Sequence, residues 1–500
     1  MPSASSASPD LTPMNRRDFI KMTAAGAGAT LSGSSLLPAQ TPAPAPTRQE
    51  TMVAMPISVA ILAGPDLDRI LGDMKERGGV TALFPFIYTH EEHRAGLDHQ
   101  PGFRGGNYAI PHMEHYQGAT LTYEDMRATE HGDVDVLDRA ITAARKHGIK
   151  VFPFVLEDNH CPAGMPRWTD MYEIDAHGRR VTGHPSGPCK RHPAYRAWLG
   201  GVVEDYARSY DIGGMMWGAE RGSGFLNMLN LGEVSRPTCF CEYCQRQARA
   251  DGIDVERARQ GFFAVEKLMR ERRANRRPVD GYFTSFWRVL LNYPELIAWE
   301  NLWVRGRHDL QAELYRRMKA ANPALPMGWH VWQTVTFNPF LRAEEDYGVY
   351  QHFSDFVRPA VYNNCAGERF HAGASSGLAG PYGDLPPAQV AELLYHELDL
   401  KEAPYDKLVT TGFSADYVKR ETRRAVDGLA GSKTQVWPGI DIDIPVPAGT
   451  SHCTPEGVKA AVRAVFAGGA TGIILSRNYV EMKPENLSAA GDALRELGRA

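Results

Sequence analysis

The stretch "IGGMMWGAE", residues 212–220, follows "AYRAWLGGVVEDYARSY" (194–210), and the pair decides how the chain is read. The first is short, apolar and closed by a carboxylate; the second repeats its apolar residues at helical spacing. A buried strand entered from an amphipathic helix is the expected unit. The same alternation extends outward. Seven further runs have this character: "ISVAILAG" from 57, "TALFPFIY" from 81, "IKVFPFVLED" from 149, "LPMGWHVWQ" from 325, "DFVRPAVYNN" from 355, "TQVWPGIDID" from 434 and "TGIILSRNY" from 471. Helical patterns such as 133–148 and 309–323 lie between them. Strands separated by helices pair in parallel through right-handed crossovers, so eight such units predict an α/β fold, a (β/α)8 TIM barrel. An open doubly wound sheet is the alternative, but no G-x-G-x-x-G turn follows any of the runs. The largely helical stretch from about 225 to 310 reads as an insertion after the fourth strand.

Bulk composition narrows the partners. Fifty-five basic against 59 acidic side chains leave a net charge of −4, which excludes a strongly polyanion-seeking surface, so no nucleic acid is expected. The longest apolar stretch, 22–37, is too short and too rich in Gly and Ser to span a bilayer. It follows "MNRRDFIK", where Arg16 and Arg17 resemble a twin-arginine export signal. The expected organisation is a signal peptide over 1–39, a Pro-rich linker over 40–50 and the barrel over 51–500. The expected partner is the twin-arginine export machinery, and the expected location periplasmic or secreted, without stable membrane insertion once the signal is removed.

In a parallel barrel, chemistry gathers at the C-terminal ends of the strands. Those ends carry Tyr88, Glu157, Asp158, Glu220, His330, Trp332, Tyr362, Asn363, Asn364, Asp441, Asp443 and Arg477. Carboxylates and amides suit sugar hydroxyls, and aromatics suit the apolar face of a sugar ring. Glu220 sits at the end of a Gly-rich apolar approach beside Trp217, where desolvation favours the neutral carboxyl that a general acid requires. Alternation along "WPGIDID" puts Asp441, Asp443 and Trp437 on one face and offers either Asp as nucleophile or base.

Seven cysteines are few for 500 residues, yet "PTCFCEYCQR" (237–246) crowds Cys239, Cys241 and Cys244 together. Three thiolates at C-x-C-x-x-C spacing, with a fourth from a neighbouring loop, suit a closed structural Zn²⁺ site. A disulfide among them is the alternative in an oxidising compartment. "EDNHC", with His160 and Cys161, offers a weaker second metal site.

The order "GRRV…PC…HPAYR", then a strand ending in Glu, then C-x-C-x-x-C, over about residues 177–246, resembles the zinc-bearing segment of the family-42 β-galactosidases, clan-A glycoside hydrolase barrels. The resemblance implies that Glu220 is the acid/base and that Cys189, Cys239, Cys241 and Cys244 hold a zinc. Ala219 stands where that family has Asn, and Asp441 and Asp443 where its nucleophile is Glu. The expected activity is that of an exported glycoside hydrolase on an oligo- or polysaccharide, with structural zinc and no organic cofactor. Two other readings are a carbohydrate-binding barrel without catalysis, and a lyase or isomerase of a modified sugar using Glu157, His330 or Tyr362 for proton transfer.

Overall fold

The computed structural model describes residues 51–98, 100–157, 166–182, 187–229 and 238–499. The segments expected as signal and linker, and Asp158, His160 and Cys161, lie outside the described residues.

Eight strand positions follow one another along the chain. They are β1 (Met52–Ile57), β2 (Ala82–Pro85), β3 in two pieces (Lys150–Val151 and Phe154–Glu157), β4 (Met215–Ala219), β5 (Met327–Val331), β6 (Phe356–Pro359), β7 in two pieces (Gln435–Val436 and Gly439–Asp441) and β8 (Gly472–Ser476). Pro153 divides β3 and Pro438 divides β7, because proline has no N–H to donate to a ladder. The breaks assign the strands to two sheets, of five and seven strands, the second also holding the short strands Tyr88–Thr89 and Gly106–Asn107. Each of β1–β8 nevertheless has a parallel neighbour on both sides, in chain order, with β8 pairing back to β1. The first strand starts five residues earlier than expected. "ISVAILAG" turns into a helix, Val59–Ala63, just after β1 ends, and a short apolar run does not by itself distinguish the two states.

Alternation along the strands divides the side chains between two cores. Met215 and Trp217 of β4 join the large cluster shared with the helices, whereas Met216 joins a separate inner cluster with Phe84, Phe152, Phe356, Trp437 and Ile474. Phe356 stacks on Trp437 with ring centroids 3.9 Å apart. Room for this aromatic layer comes from Gly328, where a Cβ would meet the Phe356 ring at 2.3 Å. Gly328→Ala should therefore overpack the layer and cost about 1–3 kcal/mol, measured as a lower denaturation midpoint at unchanged m-value.

Helices Gly224–Leu229, Glu242–Ala250, Val255–Arg273, Tyr282–Asn292 and Glu295–Ala321 lie between β4 and β5. Val255–Arg273 is capped by Asp254, whose side chain accepts from the Glu256 and Arg257 N–H groups. Among the described residues no helix is long and apolar enough to cross a membrane.

Candidate functional site

Two residues beyond the inner aromatic layer, the inward positions become polar. His330 follows Gly328 on β5, Arg358 follows Phe356 on β6, and Ser476 follows Ile474 on β8. Glu220 follows the last residue of β4. Glu220, His330 and Arg358 open onto a cleft also lined by Trp332 and Tyr362, with Ser476 buried behind them.

A chain of polar contacts crosses its floor. Arg358 Nη1 lies 2.6 Å from His330 Nδ1, and His330 Nε2 lies 2.9 Å from Glu220 Oε1. A guanidinium only donates, so His330 Nδ1 accepts and its proton sits on Nε2, donating to Glu220. Arg94 Nη2 donates to Glu220 Oε2 at 3.3 Å, and Arg358 Nη2 donates to Ser476 Oγ at 2.6 Å. Burial pushes the Glu220 carboxyl up, but Arg94, the His330 hydrogen bond and the Arg358 charge outweigh it and hold the group well below the usual range. Burial, then the Arg358 charge, push His330 down to about 4. The free protein therefore holds a carboxylate beside a neutral imidazole, with the Glu220 side chain 29% exposed to the cleft. Desolvation alone predicts a neutral Glu220; the neighbouring cations reverse that expectation.

Arg221, next in sequence, turns away. It donates to the Pro188 carbonyl at 3.0 Å and pairs with Glu173 at 3.6 Å, passing over Gly187, where a Cβ would lie 1.8 Å from Arg221 Nη1.

The other expected site residues are distributed elsewhere. Arg477 lines the same cleft. Tyr88, Glu157 and Trp217 line a second compartment, with Trp168 and Trp198, on the helix side of β3 and β4. There Glu157 accepts from Lys190 Nζ at 2.7 Å and from Trp217 Nε1 at 3.1 Å. Trp437 belongs to the inner aromatic layer, below the cleft. Asn364 Nδ2 contacts Cys453 Sγ at 2.9 Å, and Asn363 Nδ2 donates to the Phe413 carbonyl at 3.4 Å.

Asp441 and Asp443 do not share a face, because β7 ends at Asp441 and Asp443 adopts a φ of 134°. Asp443 Oδ2 accepts from the Lys483 N–H and from Asn486. Asp441, 1% exposed, accepts the N–H groups of Asn364 and Cys365 at the start of helix Asn363–Ala374. Neither Asp lines the cleft; among the described residues that do, Glu220 is the one carboxylate.

Burial pushes the Asp441 carboxyl up to about 6, against the helix amides that favour its charge. A carboxyl raised from about 3.9 in the unfolded chain binds its proton more tightly when folded. Its contribution is complete below about pH 4 and is lost as pH rises through about 6. Relative to Asp441→Asn, the wild-type melting temperature should fall across that window, as followed by circular dichroism.

The cysteines converge. The sulfurs of Cys189, Cys239, Cys241 and Cys244 all lie within 4.8 Å of one another, all four residues are buried, and none forms a disulfide. Cys189 Sγ lies 3.5 Å from both Cys244 Sγ and Cys241 Sγ. Four sulfurs around one tetrahedral Zn²⁺, at Zn–S distances of about 2.3 Å, stand about 3.8 Å apart, so the group fits that ion. Cys241 is also the N-cap of helix Glu242–Ala250, where the dipole favours a thiolate, and the Arg191 N–H donates to Cys189 Sγ at 3.4 Å.

Sequence reasoning missed Arg94, Arg358 and Arg369. Arg358 had a signal, a lone arginine inside the apolar run "DFVRPAVYNN"; Arg94 and Arg369 lie after strand ends on helices with no distinguishing pattern.

No family model and no curated protein matches this chain. Solved structures do. The polyextremophilic β-galactosidase from the Antarctic haloarchaeon Halorubrum lacusprofundi is 13% identical, with a TM-score of 0.51 over 89% of this chain and 58% of that one. The likeness is one of fold. The PgaB (BpsB) glycoside hydrolase domain from Bordetella bronchiseptica is 12% identical over 90% of this chain and 98% of that one, at a TM-score of 0.49. The α-L-fucosidase isoenzyme 2 from Paenibacillus thiaminolyticus is 13% identical over 90% of this chain, at a TM-score of 0.46. This chain spans about half the length of the fucosidase, 49%.

Proposed function

We propose that the chain is a (β/α)8 barrel of glycoside hydrolase type, exported by the twin-arginine route, that acts on a carbohydrate in the cleft above β4, β5 and β6. The observation that carries this reading is the Glu220 carboxylate. It stands at the C-terminal mouth of a ring of parallel strands, is kept ionised by Arg94 and His330, and shares its cleft with Trp332 and Tyr362, which suit the apolar face of a sugar.

An ionised carboxyl in this position serves as nucleophile, as base toward water, or as the charge that stabilises an oxocarbenium-like transition state. His330 holds its orientation through Nε2–H. Asp441 and Asp443 shape the β7 loop in this account, and the group that protonates the leaving oxygen is not among the described carboxylates of the cleft.

The four cysteines would hold a structural zinc. Thiolates in all four positions leave no place for an activated water, so the metal would supply rigidity to the segment after β4 and no step of the reaction.

The single carboxylate among the described residues of the cleft favours a second reading, a carbohydrate-binding barrel without catalysis. Incubating the purified chain with a broad glycan panel and separating the products by chromatography distinguishes them. Hydrolysis products support the enzyme. Calorimetric binding with no product after long incubation supports the second reading.

A further inference from the structure

Among the described residues that line the cleft, guanidiniums outnumber carboxylates. Four guanidiniums line it: Arg94, Arg358, Arg369 and Arg477. Arg94 pairs with Glu91 and Glu220, and Arg477 makes a bidentate pair with Glu481, Nη2 to Oε1 at 2.6 Å and Nε to Oε2 at 3.1 Å. Arg358 and Arg369 have no carboxylate within ion-pair distance among the described residues. Arg358 is 3% exposed, its partners His330, Tyr362 and Ser476 are all neutral, and its Nε has no hydrogen-bond partner. Arg369, on helix Asn363–Ala374, donates to the amide oxygen of Gln333, whose own Nε2 is engaged by the Tyr362 carbonyl at 2.7 Å.

A buried guanidinium whose direct contacts are all neutral is costly, because hydroxyls supply acceptors but no charge. A neutral sugar would leave this surplus in place. An oxyanion would remove it, and planar guanidiniums match the two oxygens of a carboxylate or sulfate.

We infer that the cleft takes an acidic saccharide, one whose sugar ring carries a carboxylate or a sulfate, with Arg369 receiving the anionic group in the field of the buried Arg358. This rests on the carbohydrate reading above and adds the substrate class to it. Glu220 already accepts from His330 and Arg94.

The test is an array of neutral, uronate-bearing and sulfated glycans probed with the full chain, followed by calorimetry on the glycans retained. Retention should be confined to acidic glycans and should weaken as salt is raised. Arg369→Gln should weaken their binding about tenfold or more, the loss of one charge-assisted contact, while Arg369→Lys recovers part of it. Retention of uronates alone or sulfates alone identifies which oxyanion the arginines take. Neutral glycans retained as strongly as their acidic counterparts overturn the inference, as does acidic binding that Arg369→Gln leaves unchanged. Cleavage of neutral glycans alone would sink the inference and leave the hydrolase standing; acidic glycans bound but never cleaved would do the reverse.

Discussion

Turnover of any glycan that the chain cleaves is expected to fall by about 10²-fold or more on Glu220→Gln, with the melting temperature nearly unchanged. The amide is isosteric, and its oxygen still accepts from His330 Nε2–H, so the contact that positions the side chain survives. What disappears is the charge. Arg94 keeps Glu91 as an ion-pair partner, so that cation is not stranded by the change. A variant that folds as the wild type and turns over as fast would remove Glu220 from the chemistry and leave the cleft a binding site.

Cys241→Ser should release bound zinc and lower the melting temperature by roughly 5 °C or more, because a closed thiolate site contributes its binding energy to the fold. Cys189 precedes β4, whereas Cys239, Cys241 and Cys244 follow it, so a metal joining them would fix the backbone on both sides of Glu220. Serine keeps the size of the side chain but is a poor ligand, which separates loss of metal from loss of packing. Elemental analysis of protein purified without chelator should give one zinc per chain, and the folded fraction of the variant should retain turnover. Absence of zinc, or a disulfide among these cysteines in mass spectra, contradicts the site.

The strands were legible because each is an apolar run between periodic helices, and seven of the eight coincide with those runs. The first did not, since "ISVAILAG" has no period that distinguishes a strand from a short helix, and β1 lies just before it. Glu220 and His330 were legible from their place at strand ends. Asp443 was misplaced because alternation along β7 was carried past its last residue, Asp441, and Trp437 because it lies in the inner aromatic layer. Pro438 divides the strand, Trp437 sits below the cleft, and Asp443 leaves the strand geometry altogether. The ionisation of Glu220 was not legible at all. It depends on Arg94, 126 residues earlier, and on His330, 110 residues later, and no local pattern encodes such distant contacts.

The most direct measurement is a crystal structure of Glu220→Gln with a glycan that the wild type cleaves. The account predicts the scissile bond within about 3.5 Å of the side chain at position 220, over Tyr362 and Trp332, with the surrounding strands unmoved. A glycan seated instead in the aromatic compartment of Tyr88, Trp168 and Trp198, with the cleft above His330 open to solvent, would contradict it.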